Sequence, residues 1–273
     1  MTHSIGETQE AFELCYDYTI TRNLPIVIRA QLRNYKRLIQ NLEKPFDLDF
    51  SEVMWQTALF AISQIDDAVF GYVHNDEIVI VLKNDKKKVP WLGNNLQSII
   101  SVSSCFLTDG FRQSKDIFGE NLNLSGNIAF DVRVWALPDL EEAVDYLIHR
   151  QDSCIKNAIN RACGYELESK LGRERASSLF KDKSYDDKED MLLNYCGIDM
   201  YEYYPGNFIF GTAIYKVRKI QADESARNRW HVNTDIPNFI DDRGFLSAIL
   251  ANGVDVFRAS SLSKIIDSED YET

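Results

Sequence analysis

Cysteine is scarce in this chain and unpatterned. Cys15, Cys105, Cys154, Cys163 and Cys196 are an odd number at unrelated spacings, with no CxxC. That argues against a disulfide scaffold or a zinc ribbon and leads us to expect reduced thiols of a cytoplasmic protein. Long apolar runs are missing too, so no membrane association is expected. The first ten residues lack the basic start and apolar centre of a signal peptide. A Walker loop, GxxxxGK followed by Ser or Thr, does not occur. The four histidines are scattered and form no triad spacing. Positive charge is also short: 30 basic against 42 acidic residues give a net charge of -12. A protein whose main partner is a long nucleic acid usually has the opposite balance.

The 273 residues are 45% hydrophobic and 26% charged, the balance of a globular protein. Local basic clusters interrupt the acidic background at Lys83 to Lys88, at Lys170 to Arg175, and loosely from Arg22 to Lys44. Acids gather at Asp186 to Asp190 and in the tail, Asp267 to Glu272.

Pro25 to Arg29 is a short β run after a turn signal. Ser51 to Ile65 has apolar residues at helical spacing, with Ser51 placed to cap it. Ala68 to Val73 and Ile78 to Leu82 are apolar β runs separated by His74, Asn75, Asp76 and Glu77, which predicts a hairpin with carboxylates at its tip. Asn94 to Thr108 predicts a second helix, and Asn121 to Gly126 a loop. Ile128 to Trp135 alternates like a strand, and a third helix is predicted from Asp139 to about Arg161. This order, βαββαβ, predicts an α+β ferredoxin-like palm with helices on one sheet face and a C-terminal extension. Lys170 to Lys188 is polar and predicts a mobile connector; Asn207 to Lys216 predicts a strand, and Trp230 to Asn252 a helical tail.

Acids borne on strands at a sheet edge suit Mg²⁺, which takes oxygen ligands. A second acid from a neighbouring strand would let two ions share one carboxylate. The corresponding place reads Arg29-Ala30-Gln31-Leu32-Arg33, with an amide where an acid is wanted.

Further motifs follow in a fixed order: Arg29-x-x-x-Arg33-x-Tyr35, Glu43-Lys44-Pro45-Phe46-Asp47, Gly71 to Glu77, Ser101 to Ser104, and Phe130 to Val134. Arg150-Gln151 with Asn157, Lys188 to Leu193, and Ile236 to Phe239 complete the series. Together, across about Leu14 to Leu250, the chain resembles the tRNA-histidine guanylyltransferase family, in its bacterial and phage-type branch. The resemblance implies a palm-like nucleotidyltransferase core over residues 1–165 and a family-specific extension over 166–273, packed together. It implies addition of nucleotides to RNA 5′ ends in the 3′-to-5′ direction, with one or two Mg²⁺ ions, GTP or ATP as substrate, tRNA or an RNA 5′ end as partner, and a tetramer. By resemblance Asp76 and Glu77 are the catalytic acids and Asp76 holds the metal. Nucleotide contacts carry over to Arg29, Gln31, Leu32, Arg33, Lys36, Lys44, Asn75, Ser101, Ser103, Ser104, Arg150, Gln151, Asn157 and Lys188.

The departures fall in two motifs. The family's Arg-x-Asp-Gly-Arg-x-Phe-His has Gln31, Leu32 and Lys36 in place of its Asp, Gly and His. The family's Trp-Arg-Gln-x-Asp reads His149-Arg150-Gln151-Asp152-Ser153. Two alternatives to an active tRNA enzyme therefore stand: a degraded relative that binds nucleotide or tRNA without chemistry, and nucleotidyl transfer onto a small nucleotide.

Overall fold

Three apolar runs in the first third of the chain are buried along almost their whole length, which is how strands covered on both faces read in sequence. In the computed structural model, which describes residues 4–38, 40–117, 127–220 and 226–253, they are β1 (Ile26–Leu32), β2 (Ala68–His74) and β3 (Glu77–Leu82). They join β4 (Phe130–Ala136), β5 (Thr212–Ile220) and β6 (Ala226–Asn233) in one antiparallel sheet of order β4-β1-β3-β2-β5-β6. The first four strands have the ferredoxin-like order, and the last two extend the sheet beside β2. The Asn121 to Gly126 loop lies outside the described residues.

Strand alternation sends successive residues to opposite faces. Ile26, Ile28, Ala30, Ile78 and Ile80 pack beneath α3 (Leu48–Ser63) and α4 (Leu96–Ile117). Val27, Val79, Val81 and Tyr72 pack beneath α5 (Leu140–Leu171) and α10 (Arg243–Asn252). Both faces are therefore covered, not one as expected, because α5 crosses the second face and the extension returns α10 beside it. The far half of α5 leaves the sheet and forms a third apolar cluster, in which Ile159, Ala162 and Leu167 meet Leu192, Met200 and Ile209.

The short elements complete the chain. The exposed α1 (Ile5–Leu14) precedes the sheet, and α2 (Tyr35–Leu38) follows β1. Lys170 to Lys188, expected to be a connector, holds α6 (Arg173–Phe180) and the start of α7 (Tyr185–Met191). Ala176 and Met191 bury apolar contacts there that a mostly polar sequence conceals. After α8 (Met200–Tyr203), the stretch expected as a strand from Asn207 opens with α9 (Gly206–Ile209) and becomes β5 only from Thr212. Gly211, at φ 84°, makes that change of direction. The expected helical tail begins instead with β6 and is helical only in α10. Asp47, not Ser51, caps α3, accepting the Phe50 amide at 2.7 Å.

Candidate active site

The β2–β3 hairpin turns in two residues, Asn75 and Asp76, with Asn75 in left-handed backbone (φ 48°). Asparagine tolerates that conformation, which explains a tight turn without glycine. The backbone register then fixes the side chains. Gln31 lies opposite Glu77 on one side and opposite Asp131 of β4 on the other, and the Leu32 amide donates to the Asp76 carbonyl at 2.9 Å.

Glu77, 3% exposed, points to the α5 face and is held from three directions. Arg29 Nε donates to its Oε2 at 2.7 Å; Arg150 donates through Nε at 2.7 Å and Nη2 at 3.0 Å. His74 Nε2 lies 3.2 Å from Oε1. Burial alone pushes this carboxyl up, but the His74 contact and the two guanidinium groups outweigh it and hold it at about 2. Glu77 is thus a buried anion with its lone pairs spoken for, and Arg29 and Arg150 are its partners. His74 Nδ1 is buried without a hydrogen-bond partner.

Asp76 has a different setting. Its side chain is half-buried at the mouth of an open basin of about 700 Å³. Burial raises its pKa, and a hydrogen bond from Gln31 Nε2 to Oδ2 at 3.1 Å offsets this in part. Arg33, Lys36, Arg37, Asp131 and Asn157 line the same basin. Lys188 approaches through Asn160, donating to its Oδ1 at 2.9 Å. Leu32 lines the basin through backbone while its side chain is in the core.

A second cavity, about 180 Å³, opens on the other side of the hairpin tip. Its walls are Tyr35, Phe46, Phe50, Met54 and Phe208, with Lys44, Asp47 and Asn75 as polar groups. Arg161 lies between the two cavities. Its guanidinium donates to Asn75 Oδ1 and the Pro45 carbonyl, both at 2.7 Å, and to the Tyr35 hydroxyl at 3.2 Å. Its charge also sits over the Phe46 ring, 5.3 Å from the centroid.

The fold therefore brings Gln31, Arg33, Lys36, Lys44, Asn75, Asp76 and Asn157 to these two cavities. Leu32 adds backbone to the basin and Lys188 stands behind Asn160, whereas Arg29, Glu77, Arg150, Gln151 and the three serines do not line either cavity. Gln151 is buried, donating to the carbonyls of Phe210 and Pro237 and accepting the Phe239 amide at 2.6 Å, which ties α5 to the extension. Ser101 bonds back to the Ser98 carbonyl, Ser104 to that of Phe130, and Ser103 is buried with no partner for its hydroxyl. Arg161 escaped the sequence reading, although its signal was present. Arg150, Cys154, Asn157 and Arg161 follow a 4-3-4 spacing on α5, a single helix face.

Among the described residues, no three His, Cys, Asp or Glu side chains are grouped to hold a metal. The donors at the turn are the Asp76 carboxylate and the neighbouring Gln31 amide, whose N–H side faces that carboxylate, while the Asp131 carboxylate lines the same basin from β4. This set fits one hard cation through Asp76, and Gln31 supplies no charge with which to bridge a second.

Known proteins resemble this chain in sequence and in fold. The family model described as tRNAHis guanylyltransferase (Thg1) matches residues 6–138. Arabidopsis thaliana tRNA(His) guanylyltransferases 2 and 1 are 26% and 24% identical over 78% and 81% of this chain. The chain spans only about 40% of the length of these relatives. A bacterial tRNA(His) guanylyltransferase-like protein solved in complex with ATP is 25% identical, with a TM-score of 0.76 over 91% of this chain and 99% of its own. The Saccharomyces cerevisiae tRNA(His) guanylyltransferase shares the fold, at a TM-score of 0.69 and 19% identity, over 88% of this chain and 100% of its own. Motif order, fold and these relationships together support the tRNA-histidine guanylyltransferase family as the one this chain resembles.

Proposed function

We propose that this protein binds a nucleoside triphosphate across the hairpin tip and acts on it as a 3′-to-5′ nucleotidyltransferase of RNA 5′ ends. The observation that carries the reading is the meeting of two unlike cavities at Asn75 and Arg161. One has the aromatic walls that suit a flat base, and the other has the cations that suit phosphates. The solved complexes of bacterial relatives, one with ATP and one with GTP, support the same ligand class.

In this reading Phe46, Phe50 and Phe208 wall the base, while Lys44 and Asp47 present polar groups to its edge. Arg33 and Lys36 neutralise phosphate oxygens and Asn157 orients them, with Lys188 held behind Asn160. Asp76 with Gln31 would hold one Mg²⁺, which supplies Lewis-acid polarisation of a phosphoryl group when bound. Glu77 acts indirectly: fixed by Arg29 and Arg150, it anchors the strand end that carries Asp76. The relatives' names make tRNA the first RNA to try.

One observation favours a second reading, a nucleotide-binding relative without chemistry. Gln31 gives Asp76 a hydrogen bond where a second carboxylate would give a shared metal, so a two-ion step lacks its ligand. One experiment separates the readings. The protein is incubated with labelled ATP or GTP, Mg²⁺ and 5′-phosphorylated tRNA, and both bound and transferred label are counted. Transfer that disappears in Asp76→Ala supports the enzyme. Bound label without transfer supports the binder, and absence of binding overturns both.

A further inference from the structure

The stacked pair Phe46 and Phe208, with centroids 4.7 Å apart, is a shared wall. The pair lines the proposed base cleft and also an open groove of about 490 Å³ that includes Leu48, Tyr165, Tyr203 and Tyr204. We infer that this groove is a second nucleobase subsite, which takes a flat heteroaromatic base and leaves its phosphates in solvent. The inference rests on the proposed nucleotide reading for its biological sense, though not for its test.

Three features point to a base. The first is an excess of uncovered ring and aliphatic surface. Tyr203 is 64% exposed, Leu48 61% and Tyr165 42%, on a chain that buries most of its large apolar side chains. Exposed aromatic surface next to a ligand cleft is what single-stranded nucleic acid uses for stacking. The second is rigidity. Tyr203 packs edge-on against Tyr204 at 4.9 Å, Tyr204 edge-on against Phe46 at 5.0 Å, and the Tyr204 hydroxyl donates to Glu166 at 2.9 Å. The third is charge. Glu43 and Glu166 against Lys44 leave the lining one negative charge in excess, by two acids to one base. That lining repels a phosphate, whereas carboxylate oxygens accept the N–H groups on a base edge.

Continuity fixes the spatial relation. Glu43, Lys44, Phe46, Tyr165 and Phe208 border both the cleft and the groove. Two bases seated there would share Phe46 and Phe208 as a common border. The base in the groove can come from the unpaired end of an RNA or from a second free nucleotide, and the experiment distinguishes them.

The test uses the full chain with its cleft saturated by ATP. A short single-stranded RNA carrying 2-aminopurine at its 5′ end is titrated in one arm, and the free 2-aminopurine nucleotide in the other, with fluorescence quenching as readout. Tyr203 does not border the cleft, so Tyr203→Ala should leave ATP affinity unchanged. It should weaken quenching about 5- to 100-fold, the range for loss of one base–aromatic stack. Tyr203→Phe, which keeps the ring, should stay within about twofold of the parent. Quenching confined to the RNA arm supports an RNA end as the occupant, and quenching by the free nucleotide supports a second nucleotide. An unchanged Tyr203→Ala overturns the subsite, as does a Tyr203→Phe loss as large as that of Tyr203→Ala. If Tyr203→Ala instead shifts oligomer mass by light scattering and leaves quenching intact, the groove is a contact between copies and the inference fails. Should ATP not bind while the RNA arm still quenches through Tyr203, the nucleotide reading falls and the groove stands.

Discussion

Protonating Glu77 removes the anion that lies between Arg29 and Arg150 and leaves two guanidinium groups facing a neutral acid. Its pKa is held at about 2, below the ordinary 4.5, so the unfolded chain takes up the proton first as pH falls. The stabilisation is therefore complete above about pH 4.5 and is lost as pH falls toward 2. The amount at neutral pH is on the order of 3 kcal/mol. Urea midpoints measured from pH 6 down to about pH 2.5 should fall steeply in the parent, and this acid limb should flatten in Glu77→Gln. Truncation to Glu77→Ala should cost roughly 3 kcal/mol, because it leaves two half-buried guanidinium groups without their carboxylate. Asp76→Asn is expected to behave otherwise. It should leave the unfolding free energy from urea titration within about 0.5 kcal/mol of the parent, because the one hydrogen bond it makes is to an amide that can also pair with Asn, while weakening Mn²⁺ binding followed by paramagnetic relaxation. A large stability loss there would place Asp76 among the structural acids.

Within single elements, two positions have no slack. A Cβ built on Gly211 would lie 2.7 Å from the Tyr72 ring and hydroxyl, at a backbone φ of 84°. Gly211→Ala should therefore destabilise by about 1–3 kcal/mol, from strain and overpacking together, and lower the thermal midpoint. Asp47 caps α3 and borders the proposed base cleft. Asp47→Ala should cost about 1 kcal/mol of stability in urea titration.

These elements also show what the sequence discloses. β1, β2, β3 and α5 were legible because burial imposes apolar runs or helical spacing on them. Lys170 to Lys188 was not, since α6 and α7 are solvated on most of their surface and bury few side chains. β6 was hidden because Arg227, Asn228 and Arg229 lack a strand's apolar content, and pairing with β5 supplies what composition does not. At the site, the acidic turn announced Asp76. The Glu77 partners come from β1 and α5, 48 and 73 residues away in sequence, and no local pattern encodes that meeting. Arg161 was legible in principle through the 4-3-4 stripe, but a single cation on an amphipathic helix usually belongs to a solvated face.

At the scale of the molecule, core and extension share their apolar interior. Tyr215 of β5 and Phe245, Leu246 and Ile249 of α10 bury the same face of the sheet as Val27 and Val79. A chain ending at residue 165 would expose that face and cut α5 before its end at Leu171. Such a truncation should not give a cooperative unfolding transition by circular dichroism. A sharp transition would show that residues 1–165 fold by themselves.

The two-residue turn at Asn75 and Asp76 has a consequence for length rather than composition. Surface turns usually accept insertions. Here β3 is pinned on both sides, Glu77 opposite His74 in β2 and opposite Gln31 in β1. One added residue, if absorbed by sliding β3, would turn Glu77 toward the apolar α3–α4 layer and Ile78 and Ile80 toward Arg150. The turn is therefore a counting device: it sets which carboxylate faces solvent and which is locked away. In a library of tip variants, substitutions at these two positions should survive as soluble protein far more often than single-residue insertions or deletions.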